Sequence, residues 1–444
     1  MKLLFGGRVI TRDKENPFYE NGGVLMDGDN IVQVGQAAEM LEQYPNAERL
    51  DAHGGIIMPG LINIHNHLRG VFARGLDFPA PQGKNFLSVL DGRWWAQDRK
   101  MKLADTAASA ACAFIDCIEN GVTTVFEQLT SYGEVPGSLI SVAASAKELG
   151  LRLCLCHEIS DREGEKKMRQ AVKENAELIA LARSDESDLL ASTMGLHAQF
   201  TLSDASLDYI ASKTPSGSGY TIHVAEGALD VTESLNKHGI RPVFRLYDFG
   251  MIGRGTICCD CTHISEREMD ILKNSDAMIS HCPQSNMLNA VGCPPVLKML
   301  EKGMLVGLGT DGYTADMLES LKAAALLHTS EHCDLTASER LPALLFDNNP
   351  AIASRFFSRP LGVLKPGAHA DVIVMDYDPY TPLTSENVNN HLLRSVCGLK
   401  TKTTIIAGEP RMINRELLGI DKREVVVKAE EAAAALQKRL MAKK

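Results

Sequence analysis

The stretch Pro59-Gly60-Leu61-Ile62-Asn63-Ile64-His65-Asn66-His67 decides how this chain is read. An apolar run of strand character ends in two histidines at i and i+2, and residues two apart on a strand share a face. Both imidazoles can then project from one strand end and hold one cation between them. A lone His-x-His pair is weak evidence, because a solvated loop carries one as readily. Its surroundings strengthen it. The run 56–64 is the first of eight short apolar runs, followed by 122–127, 151–156, 193–199, 220–224, 256–262, 277–280 and 305–310. Amphipathic stretches separate them: 103–119 keeps a 3.6-residue period and stops at Asn120-Gly121, and 166–182 has the same period. Eight strand and helix units over about 300 residues fit a closed (β/α)8 barrel better than an open sheet.

Outside this region the pattern changes. Residues 1–55 read as a small β unit, with strands at 2–5, 23–26 and 31–34 and turns at Gly6-Gly7 and Asp27-Gly28. Beyond Pro366-Gly367, strand character returns at 370–375 and 403–407, with a turn at Gly408-Glu409. The expected fold class is α/β: a TIM-type barrel over 56–365 and a small β-sandwich built from 1–55 and 366–415. The Ala-, Glu- and Lys-rich segment 416–444 reads as an exposed C-terminal helix.

The 444 residues are 45% hydrophobic and 23% charged, the balance of an ordinary soluble globular chain. A net charge of -10 gives no positive field for a polyphosphate, so nucleic acid is not expected as a partner. No run approaches the roughly 18 apolar residues of a membrane span. The N-terminus has no signal-peptide core, and the expected location is the cytoplasm. Eleven cysteines, an odd number without regular spacing, are read as reduced. Cys112, Cys117, Cys154 and Cys156 fall in apolar periodic segments where a thiol packs as a small hydrophobe.

The active sites of such barrels lie at the C-terminal strand ends. Besides His65 and His67, strand five ends in His223-Val224-Ala225-Glu226, strand six in Cys261-Thr262-His263, and strand eight in Gly309-Thr310-Asp311-Gly312. That many ligand-type side chains at strand ends point to a metal site. Cys258-Cys259-Asp260-Cys261 is a poor separate zinc site, since adjacent cysteines on a strand face opposite ways.

These segments, with Ser280-His281-Cys282-Pro283-Gln284-Ser285-Asn286, resemble the amidohydrolase superfamily. Within it they resemble the branch of deaminases and triazine chlorohydrolases. The resemblance runs along nearly the whole chain, through Pro360-Leu361-Gly362 to Asp371. In 307–316, Asn348-Asn349-Pro350 and Trp94-Trp95 it is similar to the aminohydrolases linked to selenium-dependent purine metabolism. It implies one divalent metal, zinc in the first place with iron as the alternative, on His65, His67, His223 and Asp311, with a water in the open position. Strand four lacks the lysine that bridges two metals in dinuclear relatives, so one metal is expected.

By the same resemblance Glu226 is the proton shuttle and His197 and Gln199 face the substrate; His281 opens the loop after strand seven, where a neutral imidazole can contact the substrate or the metal water. The bland alternatives are a helix-start cap for Glu226 and a buried structural role for His197. Arg69 and Arg74 are either an anion clamp or a surface pair, and Trp94-Trp95 is a packing wedge more readily than a stacking platform. Two departures stand out. Asp260 occupies the place where the resembling deaminases carry a histidine that touches the hydroxide, a catalytic role it can take over as a hydrogen-bond acceptor unless the usual chemistry is lost, and Glu127-Gln128 stands where they often show Asp-His.

The implied function is an aminohydrolase acting on a purine-like or other nitrogen heterocycle with release of ammonia. The alternatives are ring-opening hydrolysis of a cyclic amide and a catalytically impaired scaffold. A small heterocycle is the expected partner, and a homo-oligomer the expected assembly.

Overall fold

The computed structural model describes residues 1–79, 83, 85–394 and 399–442. Its first lesson is a division inside the decisive stretch. Ile56–Pro59 and Leu61–Asn66 are separate strands in separate sheets. Gly60 is the break: its N–H donates to the Asp371 carbonyl, and a Cβ placed there would lie 2.3 Å from Thr123 Oγ1. A run expected as one barrel strand therefore serves two units. Gly60→Ala should cost about 1–3 kcal/mol by overpacking. That loss reads out as a lower urea midpoint at unchanged slope, and an unmoved midpoint would show that Thr123 yields freely.

Leu61–Asn66, Val122–Leu129, Arg152–His157 and the short Leu190–Ser192 form one parallel sheet. Met194–Ala198, Tyr220–Val224, Ile257–Asp260, Met278–His281 and Leu305–Leu308 form the other. The fourth barrel position is thus shared between the two sheets, which divide at Thr193. Backbone bridges stitch both seams, Ile159 to Leu196 on one side and Asn66 to Asp311 on the other. The second seam matters most, because it sets the end of strand eight against the end of strand one. Gly309 permits it: a Cβ there would meet the His65 Cβ at 2.9 Å. All eight expected barrel runs carry a strand, and the helix expected at 103–119 is Leu103–Glu119.

The strands of both chain ends combine in one nine-stranded sheet. Ile56–Pro59 joins them, parallel to Lys2–Ile10 on one side and antiparallel to Val372–Asp376 on the other. Leu4, Val9, Val24, Ile57, Val372 and Ile405 pack there in a core of their own. The barrel is tied to this unit by a buried guanidinium: Arg152 of the third strand lies 3.3 Å from Asp371 and 3.5 Å from Asp29.

The C-terminal helix, Lys422–Met441, is less exposed than its composition suggests. Leu436 and Leu440 are buried against Phe72 and Met101, and Arg439 pairs with Asp105. Alanine spacing hid this face, since small residues let two helices approach closely without a strong apolar stripe. No helix among the described residues is long and apolar enough to cross a membrane. Every described cysteine is free; Cys397 lies outside the described residues.

Candidate active site

His65 stands on the first barrel strand, Leu61–Asn66, and His67 just beyond its end, and their rings meet edge to face with centroids 4.9 Å apart. His223, from the end of strand five, completes a cluster of three buried imidazoles whose ligand atoms lie within 4.8 Å of one another. His67 Nε2 is 3.3 Å from His223 Nε2 and 3.0 Å from Asp311 Oδ1, and His65 Nε2 is 3.6 Å from the same oxygen. A tetrahedral ion with metal–nitrogen bonds of about 2.0–2.1 Å sets its ligand atoms about 3.3 Å apart. The spacings match.

The other nitrogen of each ring is occupied. His67 Nδ1 faces the Gln128 carbonyl at 2.6 Å, His223 Nδ1 faces Asp260 Oδ2 at 2.9 Å, and His65 Nδ1 lies 3.3 Å from Cys259 Sγ. All three Nε2 atoms are thereby left for the centre. His65 Nε2 is buried with no hydrogen-bond partner among the described residues. An orphaned imidazole nitrogen aimed at two other imidazoles and a carboxylate fits a divalent ion. Burial, and then the nearby Arg69 charge, lowers His67 to about 4, which keeps it in the neutral form that ligates. Asp311 stays ionised: burial pushes its carboxyl up, but His67 and His65 outweigh that.

The strand ends that present these groups carry unusual backbone. Ala225, Asp260, Cys261 and Asp311 all have positive φ, between 49° and 69°. For residues with a Cβ that conformation is costly, and its concentration around one mouth is typical of functional sites.

Glu226 lies in the cavity wall, with Oε1 3.3 Å from Asn289 Nδ2. Burial, and then the charge of Asp260, raises its carboxyl well above the usual range, toward the protonated form a shuttle must visit. His197 also lines the cavity, Nδ1 3.0 Å from Thr201 Oγ1, and burial holds it well below its usual value, hence neutral.

Three expected site residues are placed differently. Gln199 turns away from the cavity into a buried network, donating to Asp230 Oδ1 at 2.7 Å and accepting from Arg245 at 2.9 Å. Asp230 in turn accepts from the Ala225 N–H at 2.6 Å, so Gln199 supports the His223–Glu226 turn from behind. His281 faces His328 Nε2 at 3.2 Å and lines neither mouth cavity. Asp260 points inward and sits behind His223, its other oxygen accepting from Asn286 at 2.9 Å. Strand alternation fails as a guide there because Asp260 and Cys261 are both left-handed.

A carboxylate behind a ligating imidazole fixes its tautomer and raises its basicity. Asp260→Asn should therefore weaken metal binding about 10–100-fold. Competition with a chelator measures this, and an unchanged dissociation constant would separate Asp260 from the metal.

One functional candidate escaped the sequence reading. Glu158, just past strand three, is buried with Oε2 accepting from Thr130 at 2.6 Å and Oε1 3.5 Å from His223 Nε2. Burial opposes its charge, yet the surrounding His197, His223 and Arg69 outweigh it and hold the carboxyl well below its usual range. Its only sequence signal was a carboxylate at a strand end. Glu127 accepts from the Leu68 N–H and from Asn66, bracing the turn after His67; burial raises its carboxyl to about 8. Arg69 is no surface residue: it pairs with buried Asp98 at 2.9 Å, while Arg74 pairs with Asp116 at 2.9 Å. Trp94 and Trp95 both line the inner cavity, with Phe86 and Leu90. They lie in and beside a π-helical turn, Leu90–Trp94, a feature that recurs at functional sites.

The inner cavity, about 40 Å³, contains His67, Glu158, His197, His223, Glu226 and Asp311 in its wall. It adjoins an outer one of about 380 Å³, reached past Trp94, Asn289 and Gly312 and lined further by Arg74, Arg93 and Tyr313.

The model of the amidohydrolase family matches residues 56–411. The chain is 30% identical over 440 residues to a 5'-deoxyadenosine deaminase of Methanopyrus kandleri, covering 98% of each. It is 27% identical to a 5-methylthioadenosine/S-adenosylhomocysteine deaminase of Pelotomaculum thermopropionicum, covering 98% of this chain and 99% of that one. Among solved structures, an adenosine deaminase from Xanthomonas campestris with bound zinc superposes with a TM-score of 0.85 at 22% identity, covering 98% of both chains. Atrazine chlorohydrolase from Arthrobacter aurescens complexed with zinc gives 0.83 at 20%, covering 98% of this chain and all of that one.

Proposed function

Since the chain belongs to the amidohydrolase family and is a hydrolase of carbon–nitrogen bonds, we propose that it is a mononuclear metal-dependent aminohydrolase. Its substrate in this reading is an amino-substituted, purine-like heterocycle, released as the oxo product with ammonia. The observation that carries the reading is the convergence of His65, His67, His223 and Asp311 on one point beside the protonatable Glu226. His65, His67, His223 and Asp311 would hold a divalent ion, zinc before iron, whose Lewis acidity makes water a nucleophile near neutral pH. The zinc-bound neighbours of the same fold support the choice of ion.

Glu226 takes the proton shed by the attacking water and gives it to the ring nitrogen, then takes the remaining hydroxyl proton and gives it to the amine, which leaves as ammonia. Glu158, ionised and facing the same cavity, accepts an N–H of the substrate, and neutral His197 offers its free nitrogen to the ring. Trp94, Trp95, Phe86 and Leu90 give a planar heterocycle apolar walls. The outer cavity leaves room for a substituent as large as a sugar, in keeping with relatives named for adenosine derivatives.

The test is a screen of metal-replete protein over aminopurines, their nucleosides, and pyrimidines and pterins, following ammonia and ultraviolet absorbance together. Ammonia equal to substrate consumed supports the reading. Substrate loss without ammonia overturns it in favour of ring opening, and no turnover on any class with metal in place favours the scaffold.

A further inference from the structure

A second group of ligand-type side chains lies apart from the active site. His328 and His332 stand one turn apart on the helix Met317–His332, and their rings are parallel, 5.6 Å between centroids with an 8° interplanar angle. Cys293 comes from the loop after the strand-seven helix, and its Sγ is 3.5 Å from His328 Nδ1. One ligand atom from each of the three lies within 4.8 Å of the others. We propose that Cys293, His328 and His332 form a second metal site, specific for a zinc-type divalent ion and independent of the catalytic one.

The donor set and spacing carry the proposal. One thiolate and two imidazoles are the borderline-soft ligands that zinc and cobalt prefer. With metal–sulfur bonds of about 2.3 Å and metal–nitrogen bonds of about 2.0–2.1 Å, a tetrahedral ion separates sulfur from nitrogen by about 3.6 Å, the spacing found between Cys293 and His328. The tautomer is also set. His328 Nε2 meets His281 Nε2 at 3.2 Å, so a proton on His328 Nε2 satisfies both rings and leaves its Nδ1 lone pair toward Cys293. This gives buried His281, which the catalytic centre does not use, a partner role in orienting His328. His332 is exposed, so the fourth position opens to water. None of these residues lines the two mouth cavities.

Such an ion would pin the loop that begins at Asn289, the hydrogen-bond partner of Glu226, to the helix Met317–His332.

Cobalt(II) binding to the full-length protein stripped of metal tests the site, because cobalt on a thiolate gives a near-ultraviolet charge-transfer band that nitrogen and oxygen ligands do not. The unaltered protein should bind two equivalents and show the band. Cys293→Ser and His332→Ala should each lose one equivalent and the band while keeping the other equivalent, which also reports that they fold. Cys259 lies near His65, so the band's loss in Cys293→Ser is the criterion. A single equivalent in the unaltered protein, or a band and second equivalent that survive in Cys293→Ser, overturns the proposal and leaves a hydrogen-bonded thiol only.

Discussion

Glu226→Gln is expected to abolish most turnover while leaving fold and metal in place. The amide keeps the size and one acceptor of the carboxylate, so the contact from Asn289 Nδ2 at 3.3 Å can persist. It cannot take up or return a proton. The loss expected is that of a general acid–base group, about 10²–10⁴-fold in kcat. Because Glu226 does not ligate the metal in this account, metal content should equal that of the unaltered protein. Activity within a few-fold of normal, with metal confirmed, would move the proton chemistry to another group, and Glu158 is the carboxylate best placed to take it.

The second large effect concerns the ligands. Asp311→Ala removes the one carboxylate among the four and unseats two contacts at once, since Oδ1 lies 3.0 Å from His67 Nε2 and 3.6 Å from His65 Nε2. Ser285, which donates to the other oxygen, loses its acceptor as well. The remaining three imidazoles carry no charge to offset the cation's. Metal at the barrel mouth should fall to a small fraction of full occupancy, and turnover with it, at every metal concentration short of saturation. Elemental analysis after gel filtration reads this directly. Full occupancy in both Asp311→Ala and His223→Ala would remove these residues from the ligand set.

Much of this site was legible in the chain because its carriers are short and local. His65 and His67 read out through the period of two on a strand, and His223 with Glu226 and Asp311 through their places at the ends of apolar runs. Reading failed where one turn decides which way a side chain leaves a strand. Gln199 opens a 3-10 turn and swings behind the site, and Asp260 takes a left-handed conformation that ends the alternation expected around it. His281 remains on its strand but faces the outer helix. Glu158 was missed for another reason. Its environment comes from Thr130, His197, His223 and Arg69, brought together only where the two parallel sheets face each other, and no spacing in the chain announces such a meeting.

The terminal unit shows the same limit. Strands near both ends were readable, but the transfer of Ile56–Pro59 out of the barrel depends on the contact of Gly60 with Thr123, some sixty residues away. The packed face of Lys422–Met441 likewise depends on Phe72 and Met101, which sequence alone does not place beside it.

The central claim is that four side chains from three strand ends converge on one divalent ion. Crystals of the zinc-replete protein, measured on both sides of the zinc absorption edge, test it most directly. The account predicts one anomalous peak at the barrel mouth, within about 2.0–2.2 Å of His65 Nε2, His67 Nε2, His223 Nε2 and an Asp311 carboxylate oxygen. A peak at the mouth that leaves out His65 or Asp311, a pair of bridged ions there, or no peak at the mouth of catalytically active crystals would contradict it.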